Sequence, residues 1–228
     1  MKCAVVIPAA GIGRRFGSDL PKQYLELRGR SIIEHAIERF VATPEVTRIL
    51  IAVEASQEAR LEARIAERGW KNVETIVGGS TRQHSVLNGV VGVAGEVAYI
   101  AVHDAVRPVF ARETFTRLLE TVRTAAGAVP VLRPRDTIHR VQGERIMSTM
   151  NRNDLAAAQT PQIFRSDVLL PALERAAREG RVHTDEAGLV AGYGHEVRVI
   201  EGDVWNLKIT TPEDLAMMEA NFGQWSLL

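Results

Sequence analysis

Cys3-Ala4-Val5-Val6-Ile7-Pro8-Ala9-Ala10-Gly11-Ile12-Gly13-Arg14-Arg15-Phe16-Gly17, running on through Ser18-Asp19-Leu20 to Pro21-Lys22-Gln23, is the stretch whose reading decides the fold. Ala4–Ile7 is a short apolar run closed by Pro8 and the glycines, the pattern of a buried strand. The strand opens into a loop of small residues that carries two arginines, with a lysine soon after. Small residues let backbone N–H groups approach an oxyanion closely, and nearby cations neutralise it. Such a loop at the end of the first strand of an α/β chain predicts a triphosphate site and chemistry on a nucleotide.

The loop differs from two familiar phosphate loops. Gly11, Gly13 and Gly17 are spaced Gly-x-Gly-x-x-x-Gly, not the Gly-x-Gly-x-x-Gly of dinucleotide folds, and no helical pattern follows at once. No Gly-Lys-Ser/Thr follows either, which excludes a Walker A loop. A plain glycine turn is the bland alternative; Arg14, Arg15 and Lys22 around the turn weigh against it. Arginine grips phosphate with a planar fork and lysine acts as a point charge. Lysine occurs only as Lys2, Lys22, Lys71 and Lys208 among 28 basic residues, so an ammonium at Lys22 or Lys208 is a selective choice.

Outward from the first strand, the chain alternates. Ser31–Ala42 reads as a helix with a Ser31/Glu34 capping box and an apolar stripe of Ile32, Ile33, Ala36, Ile37, Phe40 and Val41. Strand patterns follow at Arg48–Val53, Val73–Val77, Tyr99–Val102 and Gly127–Val131, separated by helices at Ser56–Arg68, about Arg82–Val93 and Arg112–Thr124. This βαβα rhythm predicts a doubly wound, mostly parallel sheet. It breaks at Leu132. Thr137–Val141 and Arg145–Thr149 flank Gln142-Gly143-Glu144, the pattern of a hairpin that either folds on the body or projects toward a second chain. Helices return near Ser166–Arg178 and Asp185–Ala191, then a strand at Glu196–Ile200 and a terminal helix capped by Thr211 with Pro212 at its first position.

Bulk properties narrow the function. The 228 residues fit one large α/β domain, residues 1–228, with 133–152 as an arm. Formal charge balances at +0, so no global field points to nucleic acid. No apolar stretch approaches the ~20 residues of a membrane helix, and Pro8 ends the N-terminal run too early for a signal peptide. The lone Cys3 permits no internal disulfide, and a cytoplasmic protein is expected.

Three further segments sit where strand ends should lie. Asp104, after the fourth strand, could hold Mg²⁺ bridged to phosphates, or could cap the helix at Arg112 or pair with Arg107. His103 fits no metal spacing and reads as structural. Gly78-Gly79-Ser80-Thr81-Arg82 and Ser85 offer backbone approach and a hydroxyl to a flat base; a strand-to-helix turn capped by Ser80 and Gln83 is the plainer reading. Lys208 lies between Leu207 and Ile209, where an anion partner would explain a lysine. Thr184-Asp185-Glu186 reads as a helix start with acids suited to the dipole.

Taken in order, these segments resemble the 2-C-methyl-D-erythritol 4-phosphate cytidylyltransferases of the non-mevalonate isoprenoid pathway. The resemblance rests on Pro8-Ala9-Ala10-Gly11-x-Gly13-x-Arg15, Pro21-Lys22-Gln23-Tyr24, Gly78-Gly79-Ser80-Thr81-Arg82, His103-Asp104-Ala105-Val106-Arg107-Pro108, Asp136-Thr137, Asn151-Arg152, Thr160-Pro161-Gln162, Thr184-Asp185-Glu186-Ala187 and Asn206-Leu207-Lys208. It covers essentially the whole chain. It implies a Rossmann-like nucleotidyltransferase fold, CTP and a small sugar-alcohol phosphate as substrates, Mg²⁺ on Asp104, and a homodimer built through the arm.

Residue by residue, the resemblance implies catalytic roles for Arg15, Lys22, Arg152 and Lys208. Nucleotide contacts fall to Pro8, Ala9, Ala10, Gly11, Gly13, Gly79, Arg82 and Ser85, and substrate contacts to Asp104, Arg107, Thr137 and Thr160. Val106 stands where the family usually has alanine, and Asn151 where it often has aspartate. Some relatives carry a fused cyclase domain, for which the sequence after the terminal helix leaves no room. Ribitol 5-phosphate cytidylyltransferase is the nearest alternative. It often shares the valine at Val106, but tends to show Leu-Ala-Gly-Gly in place of Pro8-Ala9-Ala10-Gly11 and lacks the Glu186 pattern. A nicotinamide dehydrogenase would need an acid at a strand end about twenty residues after the glycines; Glu34 lies inside a helix pattern instead. A non-catalytic sugar-nucleotide sensor is the remaining alternative, against which Lys22 and Arg15 speak.

Overall fold

The computed structural model describes residues 1–11 and 20–225. Strand β1 (Cys3–Pro8) is the centre of the molecule. Side chains alternate across a strand: Cys3, Val5 and Ile7 enter one apolar cluster, and Ala4 and Val6 enter the other. A strand buried on both faces reads as continuous hydrophobicity, which is why the sequence marks it clearly. After β1 a short 3-10 turn leads into a small hairpin, β2 (Glu26–Leu27) and β3 (Arg30–Ser31).

Helix α1 (Ile32–Val41) starts where the capping box places it. The Ser31 backbone N–H and hydroxyl both donate to Glu34 Oε2, at 3.0 and 2.7 Å. Its Ile33, Ile37 and Phe40 pack on the β1 face that carries Val5. Strand β4 (Val46–Val53) and helix α2 (Ala55–Arg68) follow; Gly69 ends α2 in the left-handed region, φ 66°, where a side chain is disfavoured. Then come β5 (Val73–Val77), α3 (Arg82–Val93), β6 (Tyr99–Val102), α4 (Arg112–Thr121) and β7 (Gly127–Leu132). The arm is β8 (Ile138–Gln142) paired with β9 (Arg145–Met150). The chain closes with β10 (Ala157–Ala158), β11 (Gln162–Arg165), α5 (Ser166–Glu179), α6 (Glu186–Gly192), β12 (Val197–Glu201) and α7 (Pro212–Trp225).

The main sheet runs β10-β7-β11-β6-β1-β4-β5, with β12 added to β7. β1 pairs in parallel with both β4 and β6, so the chain moves outward through β4 and β5 and then returns to the other side of β1. Helices α1, α2 and α4 cover one face; α3, α5 and α6 cover the other. This is the doubly wound, mostly parallel architecture the alternation predicts. A third, smaller cluster of Leu27, Ile32, Val106, Val109, Ile209 and Met218 seats α7 against β2, the start of α1 and the loop after β6.

Four details differ from the sequence reading. β11 inserts antiparallel between β6 and β7, a strand too short and too polar to show in the periodicity. The cap of α3 is Thr81, whose hydroxyl accepts from the His84 N–H at 3.1 Å, so the Ser80/Gln83 capping box is not formed. Gln83 turns away to bond the Arg181 carbonyl and the His183 N–H. α4 ends at Thr121 rather than Thr124, where the Thr121 hydroxyl folds back on the Arg117 carbonyl and the chain tightens into a turn. Asp104 does not cap α4, whose N-cap position is Ala111. The arm stands apart as its own two-stranded sheet, with Val141, Ile146, Met147 and Met150 exposed.

Candidate active site

Ligands of open α/β sheets bind beyond the carboxyl ends of strands where the strand order reverses. Here that point lies between β1 and β6. A cavity of about 380 Å³ opens there, walled by Pro8–Gly11 after β1, Lys22 and Gln23, the 79–82 segment and Ser85 after β5, Asp104–Val106 after β6, and Lys208.

The walls are held by buried polar side chains. Gln23 is buried, and its amide donates to the carbonyls of Ala9 (2.6 Å) and Gly11 (3.0 Å), fixing the start of the first loop. Ser85 clasps the opposite loop: its Oγ accepts from the Gly79 N–H and donates to the Thr81 carbonyl, each at 3.0 Å. The two loops touch. A Cβ on Gly78 would lie 2.5 Å from the Ala10 Cβ and 3.2 Å from the Val53 carbonyl oxygen, so only glycine fits.

Charge concentrates on Asp104. Arg82 Nε meets its Oδ1 at 3.3 Å, while Lys208 Nζ (2.9 Å) and Arg107 Nε (3.5 Å) meet its Oδ2. Burial by itself would raise the carboxyl, but Arg82, Lys208 and Arg107 outweigh it and hold Asp104 well below the usual carboxylate range. Arg82 in turn forks onto Glu186, at 2.7 and 3.1 Å. Beneath this layer, burial pushes His103 down to about 4, so its ring is neutral at pH 7. The His103 Nε2–H then donates to the Arg107 carbonyl (2.9 Å), and Nδ1 accepts the Thr160 hydroxyl (3.2 Å). The same Thr160 oxygen accepts from the Asp104 N–H (3.0 Å).

The second lysine arrives from the other side. Lys22 Nζ donates to the Ile209 carbonyl at 3.1 Å, and the Ile209 N–H donates to the Val106 carbonyl at 2.9 Å. Two of the chain's four lysines thus stand on one cavity, joined through Ile209.

With this geometry in hand, the family model for 2-C-methyl-D-erythritol 4-phosphate cytidylyltransferase (IspD) matches residues 3–224. The chain belongs to this family. The enzyme of that name from Geobacter metallireducens is 40% identical over 225 residues, covering 96% of this chain and 97% of its own. The one from Citrobacter koseri is 40% identical over 222 residues, covering 95% and 94%. The crystal structure of the Thermus thermophilus enzyme of the same name superposes with a TM-score of 0.82 at 31% identity, over 98% of this chain and 100% of that one. A 4-diphosphocytidyl-2C-methyl-D-erythritol synthase from Anaerococcus prevotii has the same fold, with a TM-score of 0.86 at 24% identity over 97% and 96%.

Measured against the family's pattern, the structure gathers Pro8, Ala9, Ala10, Gly11, Lys22, Gly79, Arg82, Ser85, Asp104 and Lys208 on one cavity. Gly13 and Arg15 lie outside the described residues. Thr160 and Arg107 are buried under the cavity floor, and neither lines it. Thr160 serves Asp104 and His103, and Arg107 serves Asp104 and the Asn206 carbonyl (2.6 Å). Thr137 and Arg152 do not join the cavity in this chain; both are exposed at the arm, with Arg152 donating to the Arg135 carbonyl. Gln23 and Asn206 also brace the site, and their sequence positions, within Pro21-Lys22-Gln23-Tyr24 and Asn206-Leu207-Lys208, assign them no role by themselves. A glutamine or asparagine that leaves water needs its amide satisfied within the fold, and that was the signal available.

Proposed function

We infer that this protein transfers the cytidylyl group of CTP to 2-C-methyl-D-erythritol 4-phosphate. An oxygen of the 4-phosphate attacks the α-phosphorus of CTP. The bond from that phosphorus to the bridging oxygen breaks, diphosphate leaves, and 4-diphosphocytidyl-2-C-methyl-D-erythritol remains. A phosphate nucleophile is already anionic near neutral pH and needs no general base. The obstacles are repulsion between two polyanions and charge growth at the five-coordinate phosphorus, for which preorganised cations are the remedy.

The observation that carries this reading is that Lys22, held on the Ile209 carbonyl, and Lys208, held on Asp104, line one cavity at the mouth of β1. Lys22, with Arg15, stabilises the α-phosphorus and the departing diphosphate. Lys208 orients the attacking phosphate, a positioning effect, and Arg152, which does not join the cavity of its own chain, would reach that phosphate only from the arm of a second copy. Gly11 and Gly79 let their backbones approach the nucleotide, and the pocket's size selects the smaller base. Ser85 serves the base by shaping the 79–81 loop, since its hydroxyl is engaged there.

The donor set also bears on Mg²⁺. Among the described residues no three carboxylate, histidine or cysteine side chains cluster for a metal. Mg²⁺ is commonly bound through one or two carboxylates together with substrate phosphates. Asp104 offers the one carboxylate such an ion needs, but Arg82, Lys208 and Arg107 already engage both of its oxygens, so the ion would have to bring its charge balance with the triphosphate. Asp104 would hold it, and the ion would supply neutralisation of phosphate charge.

The arm supports a homodimer: its Val141 and Ile146 are cross-strand partners, and each is more than 60% exposed, as a surface awaiting a partner would be. We place the enzyme in the cytoplasm. Among the described residues no helix is long and apolar enough to cross a membrane.

Val106 in the cavity wall favours keeping ribitol 5-phosphate as a second acceptor to test. A diphosphate-release assay with CTP and either sugar phosphate decides. Rapid release with the methylerythritol phosphate alone is expected. Faster release with ribitol 5-phosphate overturns the acceptor, and no release with either overturns the enzyme reading.

A further inference from the structure

Glu186 takes no part in the chemistry above, yet it is 2% exposed and carries a carboxylate into the layer beside the active cavity. A buried ion pair is weak grounds for stability, because desolvation offsets much of the Coulomb gain. Its partner is also placed against local preference. Arg82 is the first residue of α3, where the helix dipole disfavours a cation. Local rules broken without a stability gain point to function.

The geometry shows what is gained. Both Arg82 Nη atoms are occupied by Glu186, so only the Nε edge faces Asp104. Lys208 holds the other carboxylate oxygen of Asp104. Glu186 is itself anchored to the sheet. The Gln162 side chain accepts from the Ala187 N–H (3.0 Å) and donates to Asp185 (2.9 Å), and Asp185 caps α6. The chain of contacts therefore runs from β11 through α6 to Glu186, Arg82, Asp104 and Lys208.

We propose that Glu186 is a positioning residue for acceptor binding: by occupying the Arg82 fork, it keeps Arg82 from turning that fork onto Asp104 and pulling the carboxylate off Lys208. With Glu186 neutralised, Arg82 is free to take both Asp104 oxygens, and Lys208 loses the contact that fixes its ammonium. The substrate that suffers more is the sugar phosphate, which Lys208 orients, whereas CTP without Mg²⁺ makes no use of Asp104. This inference rests on the cytidylyl-transfer reading, which wild-type turnover in the same assay tests separately.

The test is Glu186→Gln and Glu186→Asp, with Arg82→Lys alone and combined with Glu186→Gln, in the full-length protein. For Glu186→Gln, kcat/KM for 2-C-methyl-D-erythritol 4-phosphate should fall about 10–100-fold, the usual cost of losing a supporting partner. CTP affinity by calorimetry without added Mg²⁺ should stay within about threefold. Glu186→Asp, which keeps the charge, should recover part of the loss. The double variant should be no worse than the poorer single, as for residues that act as a unit. If Glu186→Gln fails to fold, the Asp and Lys variants carry the same comparison. Equal losses in CTP affinity and acceptor kcat/KM, losses that multiply in the double variant, or unchanged kinetics would each overturn the proposal.

Discussion

Lys22 reaches across 187 positions of sequence to the Ile209 carbonyl, and with Lys208 lines the cavity at the mouth of β1. Cations already in place cost little reorganisation when charge develops, which is what makes them effective. Lys22→Ala should therefore lower kcat about 10²–10³-fold, as removal of a single charge-stabilising donor does. Circular dichroism and the melting temperature should change little, because Lys22 is only half-buried. Steady-state diphosphate release checks this; wild-type turnover in the variant would remove Lys22 from the mechanism.

Lys208→Met keeps the apolar stem and deletes the ammonium that faces Asp104 at 2.9 Å. The acceptor phosphate loses its orienting cation, so KM for the sugar phosphate should rise and kcat should fall, with CTP binding least affected. A rise confined to KM for CTP contradicts the assignment.

Gly78→Ala tests the contact between the two loops. The added methyl would press on Ala10 and on the Val53 carbonyl, neither of which has a flexible end to move aside. Overpacking of this kind costs about 1–3 kcal/mol. Urea unfolding should show that loss together with weaker CTP binding, because the displaced Ala10 lines the cavity. Unchanged stability would mean that the loops do not meet as described.

Glu34 supplies a pH signature. It is buried at the start of α1; burial by itself would raise its carboxyl, but hydrogen bonds from Ser31 and Arg64 win and hold it at about 2. A carboxyl depressed on folding stabilises the protein fully above its unfolded value, 4.5, and loses that contribution as pH falls through the folded value. Glu34→Gln should thus melt below wild type at pH 7, and the gap should narrow between pH 4.5 and about 2. A gap that stays constant down to about pH 3 contradicts the ionised role.

Val141 and Ile146 face each other across the arm, far from any core of their own. On the proposed homodimer, replacing both with glutamate should leave the body folded and convert dimer to monomer in sedimentation. Equal mass for the two proteins excludes the arm as the interface.

The sequence was most readable where a physical pattern repeats. α1 could be placed from its stripe and capping box, and β1 from continuous hydrophobicity closed by Pro8, because each has the period its burial demands. The site was readable where it lies in the loops that end those strands: Pro8–Gly11, Gly79 and Asp104 are all close in sequence to a strand that announces itself. β11 was hidden because four residues with glutamine and arginine at the ends carry no period. The Asp104–Arg107 pair, three residues apart, was legible, but the roles of Thr160 and Glu186 were hidden for another reason. Each acts through a partner far along the chain, as Glu186 does on Arg82 across 104 positions, and no local pattern records such a pairing.

A crystal structure of the protein with CTP bound decides where the nucleotide sits. The triphosphate should lie over Gly11 with Lys22 against its phosphates and Lys208 beside the α-phosphate, leaving room for a second phosphate in line. A triphosphate bound away from the carboxyl ends of β1 and β6 would rule out cytidylyl transfer at this cavity.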